Sequence, residues 1–235
     1  MNKMINGKNA TITWDGNPFV WDVLFKEEKV KDFSVYFYKH GGVDGPAFVF
    51  NVKSREGIFE FAQDNIFPVY VQKGVNYLPD ADNELTVVVR LNREAPEFVQ
   101  LPAPEMVVRG TKEAGNERAV YNYIDARRDG VNLYGGLTVA TGAGTWSSWP
   151  THNFETESLL APIDLFNDFY ENFAFITYPQ GLWGVQALDK TRGTRAVRDG
   201  DVVEIPLGPH PVCGGPGIKM AYFWFYTGGW PKFNE

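Results

Sequence analysis

The chain has 235 residues, room for one large domain or two small ones, and its formal net charge of −7 comes without any run of Lys or Arg. A nucleic-acid partner is therefore not expected, because phosphate binding needs clustered cations. No apolar run approaches the roughly 20 residues of a membrane span, so no membrane partner is expected, and the single cysteine, Cys213, rules out an intrachain disulfide.

Hydrophobic residues make up 44% of the chain and aromatics 15%, a composition that suits half-buried pleated surfaces in an ordinary globular protein. Residues 1–7 carry no hydrophobic signal core, which points to a cytoplasmic protein. Short apolar or alternating runs recur along the first half: residues 33–38, 47–52, 58–61, 69–71 and 85–91. Most end within a few residues at Gly, Pro, Asn or Asp, the pattern of strands joined by turns. Prolines at 96, 102 and 104 interrupt the pattern and read as a linker, since proline removes a ladder donor. Strands are expected again at 134–141, 173–177, 184–188, 202–205 and 220–226, while 159–170 fits either a short helix or a loop. No long segment of helical period competes with the strands.

The two halves share a grammar. Residues 65–77 lead into 84–91 as strand, Gly-containing turn and return strand, and residues 198–210 lead into 219–226 in the same way. Two stacked β-barrels would give such a weak repeat. The expected fold is all-β, with an N-terminal domain over 1–104 and a C-terminal domain over 105–235.

Only three histidines occur: His40, His152 and His210. His40, in Lys39-His40-Gly41-Gly42, reads as a surface turn residue. His152 follows Trp146-Ser147-Ser148-Trp149-Pro150-Thr151, and His210 lies in Gly208-Pro209-His210-Pro211-Val212. Histidine is the commonest metal ligand and handles protons near neutral pH. One site built from His152 and His210 and two ordinary loop histidines are both compatible with this spacing.

These segments carry a resemblance. Val108-Arg109-Gly110 with 115–122, then Trp146 to His152, then 197–203, Gly208 to Val212 and Pro216-Gly217 resemble the isomerase family that includes 5-deoxy-glucuronate isomerase of inositol catabolism and, more distantly, 5-keto-4-deoxyuronate isomerase. The first half matches more loosely, around Ser54-Arg55-Glu56-Gly57 and the 69–91 hairpin. The resemblance implies a two-domain cupin (bicupin) of antiparallel double-sheet β-barrels. It also implies a metal held by a His-x-His pair, a glutamate and a later histidine. His152 falls on the first histidine, Glu171 on the glutamate and His210 on the last. The first domain has no counterpart for these ligands.

The departures are specific. The second histidine of the pair is Phe154, whose ring offers no lone pair. The strand after the glutamate reads Phe173-Ala174-Phe175 where the family is tyrosine-rich, and the usual arginine beyond it is Ile176 or Thr177. The expected glutamine–arginine pair is Gln186-Ala187, and Pro209 stands where a tyrosine usually precedes the last histidine.

Two histidines and one glutamate are nevertheless a catalytic zinc set. With this ligation zinc comes first, and manganese or iron remains open. Glu155 or Glu157 could add a ligand or remain a solvated loop carboxylate. Glu171 is left open between ligand and catalytic base. Trp149, Gln186 and Tyr222 are the candidate substrate contacts, with Trp146 and Trp149 divided between packing and stacking on a sugar. Lys190, Arg192 and Arg195 are candidate clamps for an acid group or members of a solvated loop. Residues 222–226 read as a buried strand or a subunit contact in a homo-oligomer. Cys213 reads as a pocket-lining group or a small buried hydrophobe.

The resulting expectation is a metal-dependent aldose–ketose isomerase of a sugar acid such as 5-deoxy-glucuronate or a related small carbohydrate. A cupin with a degenerate metal site, serving as a carbohydrate-binding or scaffold protein, is the first alternative. An iron-dependent cupin dioxygenase, using the two-histidine, one-carboxylate pattern, is the second.

Overall fold

A computed structural model describes residues 2–5, 8–13, 19–22, 33–38, 41–91, 101–125, 133–148, 170–188, 193–205 and 210–227. The chain divides into two compact units, one of residues 1–105 with 122–131 and one of 106–121 with 132–235.

In the first unit the strands are β1 (Asn2–Ile5), β2 (Lys8–Thr13), β3 (Phe19–Asp22), β4 (Phe33–Tyr38), β5 (Val43–Asp44), β6 (Ala47–Val52), β7 (Ile66–Val71), β8 (Asn76–Tyr77) and β9 (Leu85–Leu91). One sheet runs β1-β2-β3-β4-β9-β6-β7, and β5 pairs separately with β8. The ladders from β4 through β9 and β6 to β7 are antiparallel. Valine-rich β9 and aromatic-rich β4 and β6 suit this centre, because branched and aromatic side chains pack well on a pleated surface. Tyr36, Tyr38, Val43, Ala47, Val49, Val71 and Val88 form one buried cluster, with Val69 and Tyr77 packed against it.

Residues 58–61, expected as a strand, instead lie in the helix α1 (Arg55–Asn65). The reason is local. Ser54 caps the helix, its Oγ accepting from Gly57 N at 3.2 Å, which satisfies one of the orphan amides of the first turn. Ile58 and Ala62, four residues apart, are the buried pair, while Phe61 is 66% exposed. Phe61 departs from helical backbone at φ −145° and ψ 80°, so the helix is kinked between the two buried residues.

The second unit contains β10 (Glu105–Arg109), β11 (Arg118–Ile124), β12 (Tyr134–Ala140), β13 (Trp146–Ser147), β14 (Tyr170–Tyr178), β15 (Trp183–Leu188), β16 (Gly193–Arg198), β17 (Val202–Ile205), β18 (Val212–Gly214) and β19 (Lys219–Thr227). The last residues of β11, from Asn122, group with the first unit. One sheet has the order β10-β11-β12-β19-β14-β17, and a second has β13-β18-β15-β16. The β12–β19, β14–β19 and β14–β17 ladders are antiparallel. Ser147 on β13 meets Tyr222 on β19 at 2.7 Å, which joins the inner faces of the two sheets.

The repeat seen in the sequence extends to topology. The run β4-β9-β6-β7 in the first unit has the same order of connection as β12-β19-β14-β17 in the second, and the β5–β8 pair corresponds to β13–β18. Between the corresponding strands β6 and β7 the first unit inserts α1, whereas between β14 and β17 the second inserts the β15–β16 hairpin.

Candidate functional site

Residues opposite one another in an antiparallel ladder project to the same side of the sheet. The register of the second unit therefore sorts its inner face into rows. Tyr134, Tyr226, Glu171 and Ile205 form one row; Gly136, Trp224, Phe173 and Val203 form the next; Thr138, Tyr222 and Phe175 form the third. In the third row all three side chains are buried. In the first two rows Tyr134, Tyr226 and Trp224 are partly exposed. Access to solvent thus increases toward the row that holds Glu171.

His210 meets this row from the loop before β18. Its Nε2 is 3.9 Å from Glu171 Oε2, and the two residues are only 1% and 4% exposed. The Phe173 ring lies 5.7 Å from the imidazole at 72°, an edge-on contact. Gln186, fully buried on β15, fixes the loop: its Nε2 donates to His210 O at 2.7 Å and to Pro211 O at 3.1 Å. Ala187 N donates to Pro211 O at 2.9 Å and adds to the same anchorage. Gln186 Oε1 is buried and has no hydrogen-bond partner among the described residues.

A separation of 3.9 Å exceeds a direct hydrogen bond. Two ligands about 2.1 Å from a tetrahedral zinc stand about 3.4 Å apart, so the pair is somewhat wider than a closed zinc site. An imidazole nitrogen and a carboxylate oxygen are nonetheless the donor types that suit a divalent ion. No group of three His, Cys, Asp or Glu occurs among the described residues. His152, with Trp149, Phe154, Glu155, Glu157 and His40, lies outside them.

Deeper in the unit, Tyr222 is 4% exposed and its hydroxyl shares a hydrogen bond with Ser147 Oγ. The hydroxyls of Ser148 and Thr138 also bond it, and Arg118 faces it electrostatically. Burial pushes the Tyr222 phenol above its ordinary value; the three hydroxyls and the arginine pull the other way without cancelling that rise. Arg118 in turn is held below its usual range by burial. Ser148 takes φ = +54°, a left-handed backbone that a non-glycine residue adopts at a cost. The Tyr222 ring stacks on Phe173 at 4.4 Å between centroids.

Of the expected site residues, Glu171 and His210 meet directly, Gln186 anchors the backbone of the His210 loop, and Tyr222 lies two rows deeper against Phe173. Arg195 belongs to β16, directly across from Gln186, and is not a loop residue; Lys190 and Arg192 lie outside the described residues. Cys213 is partly buried, its Sγ donating to Gly144 O at 3.2 Å, and burial pushes its thiol up. The polar residues missed from sequence are Arg118, Thr138, Ser147 and Ser148. Arg118 was within a segment that carried the family resemblance, but its strand gave no sign of which side chains turn inward.

An antiparallel β protein with a carboxylate and an imidazole facing each other inside one unit is the class that the fold and this site define. The family model described as KduI/IolB matches residues 40–233, and the chain belongs to the KduI/IolB family. It is 27% identical over 197 residues to a 5-deoxy-glucuronate isomerase of Shouchella clausii (strain KSM-K16), an alignment covering 78% of this chain and 66% of that protein. With a 5-deoxy-glucuronate isomerase of Geobacillus thermodenitrificans (strain NG80-2) it shares 29% over 180 residues, covering 73% and 62%. The matched part is therefore a little under two thirds of each relative's length. Among solved structures, an IolB-like protein from Salmonella typhimurium LT2 shares the fold with a TM-score of 0.62 at 20% identity, covering 87% of this chain and 86% of that one. A putative glyoxylate-induced protein from Pseudomonas aeruginosa has a TM-score of 0.50 at 12% identity, covering 90% and 80%.

Proposed function

We propose that the chain is a metal-dependent aldose–ketose isomerase of a sugar acid, 5-deoxy-glucuronate or a near relative, acting in the cytoplasm as a homo-oligomer. In this reading the protein is a bicupin whose C-terminal domain carries the site. The buried Glu171–His210 pair is the observation that carries it. Both residues fall on ligand positions of the resembled isomerases, inside the stretch that matches the KduI/IolB family.

Glu171, His210 and His152 would hold the ion. When bound, a divalent metal supplies Lewis acidity at the substrate carbonyl. The chain's own residues do the rest. A carboxylate has two oxygens, so Glu171 can turn Oε2 toward His210 and the ion and use Oε1 to take the proton from the carbon beside the carbonyl. It returns that proton to the neighbouring carbon. The matching proton passes between the two adjacent substrate oxygens, while the buried Tyr222–Ser147 pair, two rows deeper, braces the two sheets beneath the site. Gln186 holds His210 through its backbone and offers Oε1 to a substrate hydroxyl. Arg118 and Arg195 are the candidate cations for the acid group. The hydrophobic walls contributed by Phe173 and Phe175 exclude water, which strengthens each of these interactions.

A second reading, a carbohydrate-binding or scaffold protein with a degenerate site, is favoured by Phe154 in place of a histidine. One experiment separates the two. Protein purified without chelator is analysed for metal and then assayed for isomerisation of 5-deoxy-glucuronate and a panel of uronic acids, with zinc, manganese or iron added. The isomerase reading expects bound metal and turnover of at least one acid. No metal uptake and no turnover would leave the second reading.

A further inference from the structure

We propose that Tyr134, Trp224 and Tyr226 form a carbohydrate-stacking strip at the open end of the second unit, on which the C–H face of a sugar ring or sugar-acid chain lies beside Glu171. The inference deepens the isomerase reading and rests on it for the acidic character of the ligand.

The geometry of the strip is continuous. Tyr134 and Tyr226 are direct cross-strand partners, and their rings stack at 5.0 Å with planes 14° apart. Tyr226 and Trp224 stack at 5.7 Å and 19°. Tyr226 is also the cross-strand partner of Glu171, so the strip and the carboxylate occupy one row of the same face. Gly136 lies opposite Trp224, and a Cβ added there would come 2.2 Å from Trp224 Cζ2. Glycine is therefore what lets the indole lie against the sheet instead of standing away from it.

The alternation of β19 argues that these rings are more than core. Tyr222, Trp224 and Tyr226 face the inner side, and each carries an apolar body with a polar tip. Phe223 and Phe225 face the other side, and both are fully buried. The strand thus puts pure hydrocarbon rings where it is dry and amphipathic rings where a polar ligand would lie. Such rings are favoured where one end is apolar and the other wet. Trp224 and Tyr226 are partly exposed, as is Tyr134, within a face whose deeper rows are closed. A carbohydrate has the matching chemistry: weakly polarised C–H groups to lie on ring faces, and hydroxyls to reach the tyrosine tips and Glu171.

The test is binding of D-glucuronate and of a neutral glucoside, followed by saturation-transfer NMR and calorimetry, on wild-type protein and on Tyr226→Ala, Tyr226→Phe and Tyr134→Ala. Metal content and thermal melting are measured on every variant. The strip expects ring C–H protons of the sugar to receive saturation. It expects about tenfold weaker binding in the two alanine variants, the size of one lost aromatic contact. Tyr226→Phe keeps the ring and should bind within about threefold of wild type at unchanged metal content, which also covers the case of an alanine variant that fails to fold. Binding by the alanine variants within twofold of wild type overturns the strip and leaves the isomerase reading standing. Failure of wild type to bind either sugar also overturns the strip, and the isomerase reading is then decided by the turnover assay alone.

Discussion

His210 and Glu171 owe their chemistry to burial. In an apolar interior an imidazole or a carboxylate is costly unless it is paired or ligates a metal, and here each has the other within 3.9 Å. If they are ligands, His210→Ala should abolish bound metal in folded protein, read by elemental analysis with circular dichroism as the folding control. His152→Ala should do the same, and full metal content in either variant would remove that residue from the ligand set. Phe154→His should tighten metal binding if the site keeps the inherited geometry. Cys213 sits under the opposite constraint. Burial raises its thiol, and the donation of Sγ to Gly144 O favours the neutral form. The thiolate is the reactive species. Iodoacetamide labelling near pH 8 should therefore be much slower in native than in urea-unfolded protein, followed by mass spectrometry; equal rates would show that the thiol is neither shielded nor raised.

Helix α1 shows how a single cap redirects a segment. Ile58-Phe59-Glu60-Phe61 alternates as a strand would, but Ser54 caps a first turn and the segment forms a helix kinked at Phe61. Ser54→Ala should lower stability by about 1 kcal/mol, the usual worth of such a cap, as measured by urea unfolding; no change would mean that Arg55 N, which donates to Glu84 Oε2 at 2.6 Å, secures the first turn alone. Elsewhere the strands were legible because period-two runs closed by turn residues leave few alternatives: β4, β6, β9, β17 and β19 lie close to their expected bounds. The partners of those strands were not legible, since register depends on contacts far apart in the chain. Glu171 was named through the family resemblance, and His210 through it and the scarcity of histidine, whereas the inward direction of Arg118, Thr138 and Ser147 depends on the pairing and they were not named. The same ladder that sets Thr138 opposite Tyr222 also sets Tyr226 opposite Glu171, and neither pairing leaves a mark in local composition. The alternation Tyr222-Phe223-Trp224-Phe225-Tyr226 was visible, and only its two-sided meaning waited for the sheet.

The two units repeat one strand order yet carry different interiors. The first unit's cluster is tyrosine and aliphatic side chains, with Asn51 Nδ2 donating to Tyr77 OH at 2.9 Å and Arg90 Nη2 to Tyr36 OH at 3.3 Å among its polar contacts. The second has an imidazole, a carboxylate and a half-buried arginine in the corresponding layer of strands. A sheet order can thus be kept while the two interiors diverge, because topology is set by backbone pairing and the turns, and site chemistry by a few inward positions. This division has a measurable consequence. A ligand that binds only the native state stabilises it by about 2.7 kcal/mol at a hundredfold excess over its dissociation constant. If Glu171 and His210 hold an ion, that stabilisation enters through β14 and the loop before β18, both in the second unit. Hydrogen exchange of chelator-treated protein, with and without added zinc or manganese, should show slower exchange in β14, β15, β18 and β19. Amides of β4, β6 and β9 should change much less. His210→Ala should erase the difference between the metal-loaded and metal-free samples. Protection that rises equally in both units, or that persists in His210→Ala, would mean that the ion acts somewhere other than between this imidazole and this carboxylate.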